Sequence, residues 1–195
     1  AGVSGHKSAI GTKWEGEFEK IREDLEHFDI SLKDKTVLDI SGGPGFKAVE
    51  MEGTVKKVVV TEYSQKSVDG MVENLGINVV KYDYNEDELD EVVNEKFDLI
   101  LALNSLNYCV DMGAFAKSLK KVMHEDSRIY LNYFLPTLGC MLRSQLQEYN
   151  FNLLYNDKSV KEVFEAAGIE IVAGRKWQTG FYGRNYTSRF SGWSL

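Results

Sequence analysis

Residues 36–46 read Thr-Val-Leu-Asp-Ile-Ser-Gly-Gly-Pro-Gly-Phe, and this stretch decides the fold. Its apolar run predicts a buried strand that leads directly into a turn containing Gly42, Gly43 and Gly45. Glycine tolerates the φ values of a tight turn and lets a ligand come close to the backbone. The helix expected after the turn presents free N–H groups and partial positive charge to an anionic group. The stretch therefore predicts a site for a nucleotide-type ligand.

Predicted strands and helices alternate around this stretch. The strands are expected at residues 35–40, 57–62, 77–82, 97–103 and 128–134, and the main helices at 64–75, 86–93, 112–122 and from 157. Such alternation predicts an α/β fold with a doubly wound, mostly parallel sheet. Residues 169–177 and 185–193 then read as two strands joined by a short connection that contains glycine. A C-terminal antiparallel hairpin is therefore expected to complete a seven-stranded sheet.

Two further segments complete the predicted domain organisation. Residues 1–34 are expected to form an N-terminal arm and a capping helix, ahead of the main domain at 35–195. Thr12 and Glu15 match a capping box at the start of that helix. Apolar residues follow at helical spacing, namely Trp14, Phe18, Ile21, Leu25 and Phe28. Residues 136–156 predict no clear element, and we interpret them as a possible lid.

Composition narrows the class of protein. A chain of 195 residues is long enough for one domain with a full core. Its formal net charge of −7, without a basic block, argues against nucleic acid as a substrate. No apolar run could span a membrane, and no signal peptide begins the chain. Cys109 and Cys140 form no C-x-x-C pair, which favours a reducing cytoplasm and no metal site.

The glycine turn by itself leaves two cofactors open, because residues 43–48 also fit the dinucleotide fingerprint G-x-G-x-x-A. Three carboxylates argue against NAD. Asp39 lies within the motif, Glu62 ends the second strand, and Asp83 ends the third strand and is followed by Tyr84. Acidic groups at the ends of three successive strands suit a positively charged ligand and suit a pyrophosphate poorly. An NAD-dependent oxidoreductase is therefore disfavoured.

With these residues, the sequence resembles the class I S-adenosylmethionine-dependent methyltransferases over residues 35–195. The family motif [DE]-x-G-x-G-x-G matches residues 39–45, with Ser41 replacing the first glycine. The family's ribose-binding acid matches Glu62, and its adenine-contacting acid matches Asp83. The resemblance implies S-adenosylmethionine as the cofactor and a Rossmann-like fold. It places these residues in the cofactor site: Asp39, Ser41, Gly42, Gly43, Gly45, Glu62, Tyr63, Asp83, Tyr84, Asn104 and Ser105.

The implied reaction is in-line methyl transfer to an oxygen or nitrogen of a small polar molecule. A hydroxyl acceptor usually needs a general base, and we expect Tyr108 or His6 to orient or deprotonate the acceptor. His124 is expected to be an ordinary surface residue in a polar loop. A non-catalytic S-adenosylmethionine-binding protein stays open as an alternative. An aminopropyl transferase is disfavoured, since Asn104 and Ser105 give no acid after strand four. The sequence does not indicate an oligomeric state.

Overall fold

The structure is a computed structural model that describes residues 16–103, 105–134, 157–178 and 188–193. Its strands are β1 Thr36–Ile40, β2 Lys57–Glu62, β3 Val79–Lys81, β4 Phe97–Leu103, β5 Met123–Phe134, β6 Arg175–Gln178 and β7 Ser188–Trp193. Its helices are α1 Glu17–His27, α2 Phe46–Met51, α3 Gln65–Leu75, α4 Leu89–Val93, α5 Met112–Lys121 and α6 Asp157–Ala166, with a 3-10 helix at Leu106–Tyr108.

One sheet joins the strands in the order β3-β2-β1-β4-β5-β7-β6. The strands from β1 to β5 pair in parallel. At the far side, β7 pairs antiparallel with both β5 and β6. The predicted α/β fold with a parallel sheet is thereby confirmed. The expected hairpin connection at residues 179–187 lies outside the described residues.

Helices cover both faces of the sheet. The side chains of successive strand residues point to opposite faces, so each strand contributes to the packing on both sides. On β1, Leu38 and Ile40 pack into the core formed with α4, α5 and α6. Val37 belongs instead to the cluster that contains the apolar side of α1. A third cluster joins Ala48 of α2 and the apolar side chains of α3 to Val60 of β2 and Val79 of β3. Because the helices pack on the two faces, the edge of the sheet at the carboxyl ends of the strands is available for a ligand site.

The strand order reverses at β1, which pairs with β2 on one side and with β4 on the other. In open α/β sheets, ligands bind outside the carboxyl ends of the strands at such a switch point. The glycine turn leaves β1 at this position and enters α2 at Phe46. The topology therefore places the decisive sequence stretch where a ligand is expected.

Several predicted boundaries are wrong. The first C-terminal strand was expected from residue 169, but β6 begins at Arg175. Ile169 and Ile171 are buried against the main core without strand pairing, so their apolar pattern reflects burial alone. Residues 86–88 precede α4 instead of belonging to it, and Asp87 accepts a hydrogen bond from the backbone of Asp83. The third strand is three residues long, and β5 begins five residues earlier than expected.

The amino end of the sheet carries a polar cluster of Thr36, Asp98 and His124. The Oδ2 atom of Asp98 accepts hydrogen bonds from the Thr36 backbone N–H at 2.7 Å and from its hydroxyl at 2.8 Å. The Oδ1 atom lies 3.1 Å from Nε2 of His124. His124 therefore lies on β5 with a side-chain partner, and its assignment to a loop is wrong.

The described helices include none with the length and apolar character that a membrane crossing requires.

Candidate active site

The turn after β1 is held in shape by its backbone conformation and by β2. Ser41, Gly43 and Gly45 have φ values of 56°, 60° and 79°. Ser41 thus keeps the left-handed conformation that the first glycine of the motif would adopt easily. The backbone N–H groups of Ser41 and Gly42 donate to the side-chain and carbonyl oxygens of Thr61, at 3.2 and 3.1 Å.

Gly42 and Gly43 face different surroundings. A Cβ atom on Gly42 would lie 2.4 Å from Cγ1 of Val60 and 2.8 Å from Oδ2 of Asp39, so no side chain fits there. A Cβ atom on Gly43 would meet no atom of the described residues within 4 Å. The turn is thus packed against the sheet at Gly42 and open at Gly43. A ligand can approach the backbone on that open side.

Beneath the turn lies a buried ion pair that the sequence analysis missed. Asp39 is fully buried, and its Oδ2 atom lies 3.9 Å from Nζ of Lys47 in α2. The same ammonium group donates to the Gly42 carbonyl at 3.2 Å, and only 11% of the Lys47 side chain is exposed. The available signal was that Lys47 is the one cationic residue in the motif at 36–48.

Glu62 at the end of β2 and Asp83 shortly after β3 are brought to the same edge of the sheet. The two strands are neighbours, and the Tyr82 backbone N–H donates to the Glu62 carbonyl at 3.0 Å. The carboxylate of Glu62 accepts from the Ser64 backbone N–H at 3.1 Å. The carboxylate of Asp83 accepts from the Asn85 backbone N–H at 2.9 Å. Both side chains are therefore oriented by the turns that follow their strands.

Tyr84 connects this region to the segment after β4. Its hydroxyl donates to the Ser105 carbonyl at 3.1 Å, and its ring packs against Phe115 with centroids 5.4 Å apart. Burial raises the pKa of the Tyr84 hydroxyl, so this donor keeps its proton at neutral pH. The Ser105 hydroxyl is buried and has no hydrogen-bond partner among the described residues. A buried hydroxyl of this kind fits a polar group of a ligand.

Asn85 is a second residue that the sequence analysis missed. Its Nδ2 donates to the Tyr108 carbonyl at 3.3 Å, and its Oδ1 accepts from the Val110 backbone N–H at 2.8 Å. These bonds fix the backbone around Tyr108, whose residue surface is 43% exposed. Burial raises the pKa of the neighbouring Cys109 thiol to about 12, which leaves it protonated and without nucleophilic character at neutral pH.

The remaining predicted site residues fall in different places. Tyr63 directly follows Glu62 and is 65% exposed. Asn104, His6 and the possible lid at 136–156 lie outside the described residues. Within the described ranges, no group of three or more His, Cys, Asp or Glu residues could hold a metal ion.

The chain belongs to a family of methyltransferases. Residues 14–173 match the family model described as a methyltransferase domain. This confirms the class I S-adenosylmethionine-dependent methyltransferase family indicated by the motif, and with it the enzyme class and the cofactor. No curated protein matches the chain significantly.

Solved structures share the fold at low sequence identity. The magnesium protoporphyrin IX methyltransferase from Synechocystis, with S-adenosylhomocysteine bound, has a TM-score of 0.67 and 16% identity, over 90% of this chain and 80% of that chain. The N-methyltransferase NodS from Bradyrhizobium japonicum, in complex with S-adenosylhomocysteine, has a TM-score of 0.66 and 12% identity, over 95% and 89%. An S-adenosylmethionine-dependent methyltransferase from Clostridium acetobutylicum has a TM-score of 0.65 and 13% identity, over 93% and 91%.

Proposed function

We propose that this chain transfers the methyl group of S-adenosylmethionine to an oxygen or nitrogen of a small polar molecule. The observation that carries the proposal is the arrangement at the carboxyl edge of β1, β2 and β3. There, the open glycine turn and the two oriented carboxylates of Glu62 and Asp83 follow neighbouring strands.

The described residues fit this cofactor. A carboxylate at Glu62 can accept from both ribose hydroxyls, and one at Asp83 can accept from an amino group of the adenine. The backbone at Gly43 is open to a close ligand contact, and the buried Ser105 hydroxyl has an unused hydrogen-bonding capacity within the described residues. The residues proposed for the cofactor site are Asp39, Ser41, Gly42, Gly43, Gly45, Glu62, Tyr63, Asp83, Tyr84, Asn104 and Ser105, of which Asp39 lies buried beneath the turn.

Alignment is the main contribution expected from the protein. The bound cofactor supplies an electrophilic methyl group on a sulfonium, and transfer requires the acceptor to lie in line with the methyl carbon and the sulfur. Correct orientation of two reactants can lower a barrier by roughly 7–11 kcal/mol. The bonds from Asn85 to the Tyr108 carbonyl and the Val110 N–H give the segment after β4 a fixed backbone for this purpose.

Tyr108 and His6 are the proposed residues on the acceptor side. Tyr108 has an exposed side chain on the fixed 3-10 helix after β4. A hydroxyl acceptor would need one of them as a base or an orienting group, whereas a neutral amine needs only a free lone pair. If both Tyr108→Phe and His6→Ala keep wild-type turnover and cofactor affinity, neither residue has this role.

The proposal also covers the size of the methyl acceptor, the domain division and the location of the protein in the cell. Structural relatives include a porphyrin methyltransferase and an N-methyltransferase, so the fold itself selects no acceptor. The short possible lid at 136–156 favours a small one. The domain division at residues 34 and 35, a cytoplasmic location and a substrate other than nucleic acid follow from the sequence arguments above.

Calorimetric titration with S-adenosylhomocysteine and with NADH tests the proposal directly. We expect micromolar binding of S-adenosylhomocysteine to the wild type, at least tenfold weaker binding to Glu62→Ala, and no binding of NADH. Glu95→Ala is the matched control, since that exposed carboxylate pairs with Lys57 near the other end of the strands. Binding of NADH without binding of S-adenosylhomocysteine would reject the assignment of the glycine turn.

A further inference from the structure

The cation beneath the glycine turn is unusual because it is built into the protein interior. Lys47 reaches from α2 to the Gly42 carbonyl at 3.2 Å and to the Asp39 carboxylate at 3.9 Å. Asp39 has no exposed surface, and the Lys47 side chain is only 11% exposed. A lone buried charge is costly, so each of the two charges offsets much of the other's cost of burial.

The pair also changes the field that the turn presents to a ligand. At an effective dielectric constant of about 20, unit charges ~10 Å apart interact strongly enough to change an equilibrium constant on the order of tenfold. An unpaired Asp39 carboxylate would present a full negative charge through the turn. With the Lys47 ammonium 3.9 Å away, it presents a dipole, whose field falls off faster with distance.

The substrate and the product of the cofactor site differ by one charge. S-adenosylmethionine carries a sulfonium, whereas the sulfur of S-adenosylhomocysteine is neutral, and the two are otherwise closely similar. A net negative charge beside the site therefore favours the first ligand, and pairing with Lys47 removes the part of that preference that Asp39 alone would contribute. Loss of Lys47 or Asp39 should alter the ratio of the two affinities in opposite directions.

We propose that Lys47 is a positioning residue that sets the discrimination between S-adenosylmethionine and S-adenosylhomocysteine, by offsetting the charge of Asp39 and holding the Gly42 carbonyl. This inference rests on the proposed function, since it requires the cofactor to bind at the glycine turn. It implies that the Asp39–Lys47 pair itself contributes little to the preference of the wild-type protein for either ligand.

The test measures the dissociation constants of both ligands, by calorimetry at pH 8, on a set of variants. Lys47→Met is expected to raise the preference for S-adenosylmethionine on the order of tenfold, because it leaves the carboxylate without its cation. Asp39→Asn is expected to lower that preference by a similar factor, because it leaves the cation alone. The Asp39→Asn/Lys47→Met double variant removes both charges and should return the ratio to within about twofold of the wild type.

Two controls separate charge from structure. Lys47→Arg keeps the positive charge and should keep the wild-type ratio. Lys57→Met removes an exposed lysine that pairs with Glu95 and should leave the ratio unchanged. Circular dichroism establishes which variants are folded, and the ratio is compared only among those.

Opposite shifts for Lys47→Met and Asp39→Asn support the inference. Equal losses of affinity for both ligands, or shifts in the same direction, overturn it, because they indicate that the pair only supports the turn. If wild-type protein binds neither ligand, the proposed function itself fails, and that outcome is distinct from an unchanged ratio in variants that bind both. If Lys47→Met does not fold, the ratio of the two affinities is compared between Asp39→Asn and the double variant. A lower preference for S-adenosylmethionine in Asp39→Asn alone supports the inference, and equal ratios overturn it.

Discussion

The hydroxyl of Tyr84 donates a hydrogen bond to the backbone carbonyl of Ser105 over 3.1 Å. Tyr84 follows β3 and Ser105 follows β4, and β2 and β1 lie between these strands in the sheet. The bond therefore joins segments from both sides of the point where the strand order reverses. It fixes the position of Ser105, whose buried hydroxyl is one of the proposed cofactor contacts.

Replacing Tyr84 with phenylalanine removes this bond and keeps the packing of the ring. We expect Tyr84→Phe to lower the free energy of unfolding by about 1 kcal/mol, the usual contribution of one hydrogen bond. We also expect several-fold weaker binding of S-adenosylhomocysteine, because the segment after β4 loses an anchor. Urea unfolding and calorimetric titration measure the two effects.

Tyr82→Phe is the matched control, because Tyr82 is a buried tyrosine that packs beside the half-buried Tyr84 with ring centroids 6.3 Å apart. Its buried hydroxyl has no hydrogen-bond partner among the described residues. It should keep the wild-type affinity and lose less stability than Tyr84→Phe, because no hydrogen bond among the described residues is removed. Equal losses of affinity in the two variants would contradict a specific role for the Tyr84 bond.

Gly43 is expected to separate stability from binding. Gly43→Ala forces an alanine into a φ near +60°, which costs about 1 kcal/mol of folding free energy. Gly53→Ala is the control, because Gly53 has a φ of +81°, and a Cβ atom there also meets none of the residues that the structure describes within 4 Å. Gly53 lies in the connection from α2 to β2. Thermal unfolding should show similar losses, whereas only Gly43→Ala should weaken S-adenosylhomocysteine binding tenfold or more. Unchanged affinity in Gly43→Ala would place the ligand elsewhere.

The order of elements and the cofactor edge could be predicted because their signals are local. A run of apolar residues at 97–103 with one polar member, and a glycine turn directly after residue 40, constrain strand, turn and helix without any distant contact. Glu62 is the last residue of β2, and Asp83 comes two residues after the end of β3. These strands are parallel neighbours, and such strand ends meet at one edge of a sheet. Fold class and the position of the site followed from these facts.

The residues that the sequence analysis missed act through distant contacts. Asn85 bonds to the backbone of residues 108–110, more than twenty positions along the chain, and looks like an ordinary turn residue in the sequence. Lys47 resembles a solvated helix lysine until the fold buries it over Asp39. Ile169 and Ile171 were assigned to a strand because burial against α6 and the core gives the same apolar pattern as strand pairing.

Ser41 offers a direct measure of strain in the glycine turn. Its φ of 56° is costly for a residue with a Cβ atom and easy for glycine. We expect Ser41→Gly to be more stable than Ser41→Ala by about 1 kcal/mol in urea unfolding, since both variants lose the hydroxyl and only one keeps the strain. The comparison removes the contribution of the Ser41 hydroxyl, because neither variant carries it. A Ser41→Ala protein as stable as Ser41→Gly would indicate that the turn relaxes to another conformation.

Asp98 should make the free energy of unfolding depend on pH in the acidic range. The hydrogen bond from the Thr36 backbone lowers the pKa of the Asp98 carboxyl below its ordinary value, with further help from the Thr36 hydroxyl and His124. A carboxyl with a lowered folded pKa stabilises the fold fully above its unfolded pKa of about 3.9, and this contribution is lost as pH falls through the folded value.

Asp98→Asn should therefore unfold more easily at pH 7, by about 1 kcal/mol, and its stability should fall less steeply between pH 5 and pH 3. Asp126→Asn, which changes an exposed carboxylate on the neighbouring strand β5, should keep the wild-type slope. Identical slopes for wild type and Asp98→Asn in urea titrations across this range would show that Asp98 does not contribute to acid unfolding.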